Sequence, residues 1–412
     1  MKKTLLKKYA HLIAKVGANV QKDQAVVIYA DVEQASFVEM VSKACYELGA
    51  KLVQVEWTSQ PLQKMAFHYQ SLETLSDVPK WKVEKMKWMA QMLPCRIVLL
   101  SEDPDGLKNV DTQKLQIASL MLRKKTKKYR DAMESKHQWT IAAVPSVLWA
   151  KKVFPQLSKK QAVESLWEAI LKTVRVSETN SPEKEWKAHN ESFQKRCQWL
   201  NAQHFDSISY KSANGTDCSV ELIPQAKWCG GGEITQQGVY FNPNLPTEEI
   251  FTSPMAGKAE GTFVITKPLS YQGQIIEDFW IRFENGKAVE WDAKQGKELL
   301  TTMLTMDKGA SMLGELALVP KESPINQSGI LFYETLFDEN ACCHIAVGMG
   351  FNDCIEGFLD MENPTKECRE LGINDSLIHV DMMIGSDDLT ITGYKKGKAV
   401  PIFKNGTWAN KV

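Results

Sequence analysis

Residues 24–57 read QAVVIYADVEQASFVEMVSKACYELGAKLVQVEW. The first eight, QAVVIYAD (24–31), are a short apolar, β-branched run, the pattern of a strand. EQASFVEMVSKACYELGA (33–50) has helical periodicity and a glycine near its end. KLVQVEW (51–57) returns to the strand pattern, and CRIVLLSE (95–102) and QWTIAAVPS (138–146) repeat it with helical stretches between. This alternation predicts an α/β domain built on a largely parallel sheet. The first strand is not followed by G-x-G-x-x-G, and no Walker-type loop occurs, so a nucleotide role has little support.

Outward from this stretch the texture changes once. SKKQAVESLWEAILKTVRV (158–176) and SPEKEWKAHNESFQKRCQWLNAQ (181–203) are helical. After about Phe205, DSISYKSANGTDCSVELIP, GTFVITKPLSYQG, IEDFWIRFENGKAVEWDA and LTITGYKKGKAVPIFKNGTW are short β runs joined by Asn-Gly, Gly-Lys and Lys-Gly turns. The expected organisation is an α/β domain with a helical extension over 1–200 and a mixed, β-rich domain over 201–412. WCGGGE (228–233) reads as a tight turn, with Glu233 a candidate to line a cleft.

Composition narrows the class. With 50 basic and 50 acidic residues there is no global field to attract nucleic acid or a membrane surface. The basic run RKKTKKYR (123–130) reads as the solvated face of a helix. MKKTLLKKYAHLIAKVGANV (1–20) reads as an amphipathic helix, with no apolar core or cleavage site of a signal peptide. No window of about 18 apolar residues could span a bilayer. Nine scattered cysteines do not suggest a disulfide framework, and a reducing cytoplasm fits best.

The informative ionisable residues lie late in the chain. In SLIHVDMMIGS (376–386), strand alternation puts Leu377, His379, Asp381 and Met383 on one face and Ile378, Val380, Met382 and Ile384 on the other. A buried imidazole and carboxylate side by side need compensation; a mutual hydrogen bond supplies some, a divalent cation more. In DENACCHIAVG (338–348), two cysteines and a histidine suggest a thiolate zinc site. If 341–347 is a strand, Cys342, His344 and Ala346 share a face and Cys343 turns away, so adjacent cysteines cannot both face one metal. The cysteines then read as core filler, which leaves His344 beside Asp338 and Glu339. Glu249 begins a strand after a proline-fixed turn. Glu315 stands alone in the apolar GASMLGELALVP, where a salt bridge or a metal would account for it.

LPTEEIFTSP, GASMLGELALVP, FDENACCHIAVG and HVDMMIGSDDLTITG together resemble the aminopeptidase T, aminopeptidase S and PepS family of bacterial dinuclear metallopeptidases, the thermophilic metalloprotease family. The resemblance covers essentially the whole chain, with its specific part between about 240 and 395. It implies a metalloaminopeptidase whose ligands fall on Glu249, Glu315, Glu339, His344, His379 and Asp381, with Glu315 as bridge. It also implies two divalent ions per chain, short peptide substrates and a homodimer. Zinc, cobalt or manganese suits such a donor set, with magnesium possible but less comfortable beside two histidines. One position departs from the family: seven residues after the histidine of FDENACCHIAVG the family has a tyrosine, and this chain has Phe351. A second reading therefore accompanies the first, a weakly active member that binds metal and peptide. Tyr240, Tyr333 and Tyr394 are candidates to supply the missing hydroxyl.

Overall fold

The computed structural model describes residues 1–271 and 274–411; the last two residues of the β run at 261–273 lie outside the described residues. The chain divides into two compact units, Met1–Lys187 with Gly232–Pro246, and Ala188–Gly231 with Thr247–Val412.

The first unit carries a five-stranded sheet in the order Asn244–Leu245, Trp139–Ala143, Cys95–Leu100, Ala25–Asp31, Leu52–Thr58, with every pair parallel. The parallel sheet expected from the strand–helix alternation is therefore present. Ala25, Val26, Val27 and Ile28 are all buried, as a strand inside a sheet covered on both faces requires. Leu52–Thr58 is an edge strand and alternates between exposed and half-buried residues. Between these two strands, Ala35–Glu47 is a helix that buries Phe37, Val38, Val41, Ala44 and Cys45, one stripe at three- and four-residue spacing. It is preceded by a 3₁₀ turn, Val32–Gln34, capped by Asp31, whose carboxylate accepts a hydrogen bond from the Glu33 amide at 3.0 Å. The fifth strand comes from the returning segment and spans two residues. No helix among the described residues is long and apolar enough to cross a membrane.

The second unit is built on two antiparallel sheets. The larger has nine strands, and its hairpins turn at the dipeptides marked in the sequence. Asn285–Gly286 and Asn405–Gly406 both have positive φ, the conformation that a two-residue turn between right-twisted strands requires. The smaller sheet has the order His379–Met383, His344–Gly348, Leu313–Leu318, Ile250–Thr252, Cys229–Gly230. One hydrophobic cluster joins the two, with Phe263, Phe279, Ile281 and Phe403 from the larger sheet and Leu316, Ile345, Val347 and Met382 from the smaller. That cluster covers only one face of the smaller sheet. Its other face holds the ionisable residues.

Candidate metal centre

The register of the smaller sheet decides which side chains meet. Directly opposed residues of antiparallel strands lie on the same face. Glu315 pairs with Ala346 and Ala346 with Asp381, so these three form one row across the sheet. A second row runs Phe251, Ala317, His344, Met383. His379 lies opposite Gly348. On the reverse face Ile250, Leu316, Leu318, Ile345, Val347, Val380 and Met382 enter the hydrophobic cluster. The alternation expected for 376–386 is observed.

Glu315 reaches this face through a bulge. Leu313 pairs with Val347 and Glu315 with the next residue back, Ala346, so Gly314 is the extra residue on its strand. Regular alternation would put Leu313 and Glu315 on one face. The bulge shifts the phase, leaving Leu313 in the core and Glu315 among the acids. Only glycine fits there, because a Cβ on residue 314 would stand 2.4 Å from the Met349 carbonyl oxygen and 2.5 Å from that of Gly348.

Two groups with a common member result. Glu249, Glu315 and His344 each offer a ligand atom within 4.8 Å of the others, and so do Glu315, His379 and Asp381. His344 Nε2 is 3.2 Å from Glu249 Oε2, and His379 Nε2 is 3.1 Å from Glu315 Oε2 and 3.2 Å from Asp381 Oδ1. The other nitrogen of each ring is anchored on the backbone: His379 Nδ1 to the Met349 carbonyl at 2.7 Å, His344 Nδ1 to the Cys342 carbonyl at 3.3 Å. A carbonyl only accepts, so Nδ1 carries a proton in both rings and Nε2 is turned toward the carboxylates as the atom a metal would take, the arrangement found around metal-bound imidazoles. Asp381 Oδ1 is buried without a well-aligned hydrogen bond, although His379 lies within reach. This donor set, imidazole nitrogens and carboxylate oxygens brought together in a buried face, fits divalent cations.

Glu339, at the start of the turn Glu339–Ala341, belongs to neither ligand group, although its carboxyl feels the charges of Asp381, Glu249 and Glu315. The fully buried Asn340 accepts a hydrogen bond from the Glu248 amide at 2.6 Å and donates to the Leu336 carbonyl at 3.0 Å. It thereby ties the segment carrying Glu339 to the segment carrying Glu249. The electrostatics show how crowded the face is. Burial, with the charges of Asp381, Glu249 and Glu315, pushes the Glu339 carboxyl well above its ordinary range. Burial also pushes Glu315 up to about 7, against the hydrogen bond from His379. Burial opposes protonation of His344, but the hydrogen bond and charge of Glu249 hold it at about 9. Burial likewise opposes protonation of His379, where Asp381 and Glu315 prevail and raise it well above the usual imidazole value. Without cations the cluster keeps protons, which bound divalent cations would displace.

The cysteines stand apart from these groups. The strand begins at His344, not at residue 341, and Cys342 and Cys343 precede it. Cys343 sits in the hydrophobic cluster, its thiol donating to the Val319 carbonyl at 3.3 Å. Burial pushes the Cys342 thiol up, away from the thiolate a metal would need. Cys342→Ser and Cys343→Ser are expected to leave metal content unchanged, measured by elemental analysis, while stability falls by about 1–3 kcal/mol through a poorly satisfied buried hydroxyl. Loss of a tightly bound ion in either variant would return the thiols to the site.

Three supporting residues were not singled out in the sequence. Ser253 Oγ accepts the Phe351 amide at 2.8 Å. Asn374 accepts the Gly350 amide at its carbonyl and donates from Nδ2 to the Gly348 carbonyl. Phe251 packs edge-on against Phe351, with ring centroids 5.5 Å apart. The strand expected to begin at Glu249 runs Ile250–Thr252, with Glu249 just before it and Phe251 at its centre. Glu233 pairs with Phe241 in a short hairpin of the first unit, Glu233–Ile234 with Tyr240–Phe241.

Known proteins resemble this chain in sequence and in fold. The family described as thermophilic metalloprotease (M29) matches residues 2–408. Aminopeptidase 2 of Geobacillus stearothermophilus is 40% identical over 406 residues, covering 98% of this chain and 97% of its own. Aminopeptidase AmpS of Bacillus subtilis (strain 168) is also 40% identical over 406 residues and 98% of each chain. The structure of wild-type AmpT from Thermus thermophilus superposes with a TM-score of 0.91 at 36% identity, over 99% of this chain and 100% of that one. The chain therefore belongs to the thermophilic metalloprotease (M29) family of metalloaminopeptidases.

Proposed function

We propose that this protein releases N-terminal amino acids from short peptides, using two divalent cations held by Glu249, Glu315, Glu339, His344, His379 and Asp381. The observation that carries this reading is the membership of Glu315 in both ligand groups. A carboxylate shared in this way fits a bridge between two ions. The ions would supply Lewis acidity at the scissile carbonyl and an activated water at neutral pH. The chain's own residues set the geometry. The bulge at Gly314 aims Glu315, and the Nδ1 anchors of His344 and His379 hold both Nε2 atoms toward it. The carboxylates of this face are the groups suited to receive the free ammonium of a peptide's first residue. Zinc, cobalt or manganese suits the mixture of imidazole and carboxylate. A homodimer in the cytoplasm completes the proposal, and nine free cysteines suit that reducing compartment.

The test is metal-loaded protein assayed on a panel of aminoacyl p-nitroanilides and their N-acetylated counterparts. Hydrolysis of the first and not the second is expected. Cleavage of both equally would remove the requirement for a free amino group, and with it the exopeptidase reading. A second reading, a member that binds metal and peptide but hydrolyses poorly, is favoured by one observation, the phenyl ring of Phe351 lying against the metal-site histidine His379 with centroids 4.7 Å apart.

A further inference from the structure

We propose that Phe251, Phe351 and Met349 form the wall that receives the side chain of a peptide's N-terminal residue, so that the enzyme favours large apolar and aromatic residues there; this rests on the aminopeptidase reading above. On a strand with one buried face, the outward positions are normally polar. The strand Ile250–Thr252 breaks that rule: Ile250 and Thr252 are fully buried, while Phe251 between them is only half-buried. The row of Phe251 continues through Ala317, a side chain too small to cover the ring, to His344.

Phe351 extends the same surface. Its half-buried ring touches Phe251 on one side and His379 on the other. Met349, two residues earlier in the chain, is 43% exposed, although its carbonyl orients His379. These three are not on a loose loop. The Met349 amide donates to the Ile378 carbonyl at 2.7 Å, the Gly350 amide to the Asn374 carbonyl at 2.9 Å, and the Phe351 amide to Ser253 Oγ at 2.8 Å. A rigidly held apolar surface left partly open beside a cluster of carboxylates has the make-up of a ligand pocket, apolar walls with a few fixed polar groups. The ammonium and carbonyl of a peptide's first residue belong with the polar groups, which leaves its side chain against the two rings.

The experiment uses metal-loaded protein and measures the affinities of L-phenylalanine, L-leucine and L-alanine hydroxamates by calorimetry, beside kcat/KM for the matching p-nitroanilides. Wild type is expected to prefer phenylalanine over alanine by about tenfold or more in both measurements, the worth of burying a large side chain. Phe251→Ala should bring that ratio down toward one with metal content unchanged, and Phe251→Leu should keep part of it. A ratio unmoved in Phe251→Ala, or a wild type without preference, overturns the pocket and leaves the aminopeptidase reading intact. Failure to bind any of the three hydroxamates with both ions loaded overturns the reading and the pocket together.

Discussion

Glu315→Ala is expected to carry less than one divalent ion per chain where the wild type holds about two, and to lose activity by on the order of 10³-fold or more. Both groups of ligand atoms contain Glu315, so its removal opens both at once. Removing Glu249 or Asp381 would open one group each. Glu315→Gln separates charge from shape, because the amide fills the same space as the carboxylate. It is expected to lose metal nearly as far as the alanine variant, since the neutral amide no longer offsets the cations. Circular dichroism that matches wild type would show that the loss is local. The same groups give wild type a pH dependence of known sign. Ligation needs Glu315 ionised and both imidazoles neutral; Glu315 gives up its proton at about 7, His344 at about 9, and His379 is held well above the usual imidazole value. Metal affinity, read by competition with a chelator, should therefore rise with pH through about 7 and go on rising through about 9. Full metal occupancy in Glu315→Ala would rule out the bridging role.

The sequence disclosed this face unevenly, for physical reasons. The period-two alternation of 376–386 is a local property of a strand, so the side of His379 and Asp381 could be read without a fold. Glu315 could be read as anomalous but not placed. Its strand breaks phase at Gly314, and a bulge is defined by the partner strand, which a single sequence does not contain. Cys342 and Cys343 lie outside both ligand groups, but the strand on which their alternation rests starts only at His344. Each nevertheless lies where packing, not metal, accounts for it. The strand Asn244–Leu245 was unreadable for another reason, since two residues carry no periodicity and the surrounding prolines signal a turn. Ser253, Asn340 and Asn374 act through hydrogen bonds to distant backbone. Small polar residues of this kind look alike in sequence whether they clamp a site or face solvent.

Phe351→Tyr is expected to raise kcat by on the order of 10-fold or more with KM little altered. The ring position is already built, with the backbone fixed by Ser253 and the ring packed between Phe251 and His379. Because the ring is half-buried, not enclosed, a para hydroxyl can be added without displacing the core. Where negative charge develops on the scissile carbonyl, one such donor is typically worth about 10²–10³ in rate. The gain should fall below that range, because the groups around the ring have been shaped to a phenyl edge and not to a phenol. A donor aimed at developing charge acts on the transition state more than on bound substrate, which is why kcat and not KM should move. The native tyrosines offer an internal comparison. Tyr394 belongs to the nine-stranded sheet, on the strand Thr390–Lys395, whereas Tyr333 precedes the segment that carries Asp338 and Glu339. If wild type is already fast and the tyrosine variant no faster, Tyr333→Phe becomes the informative change, and a loss of kcat there would identify the substitute donor. If Phe351→Tyr creates activity in a protein otherwise inert toward every aminoacyl substrate, the missing hydroxyl alone accounts for the silence. If both proteins bind two ions and neither hydrolyses, the phenyl ring marks a site that retains ligation and peptide but has given up the reaction.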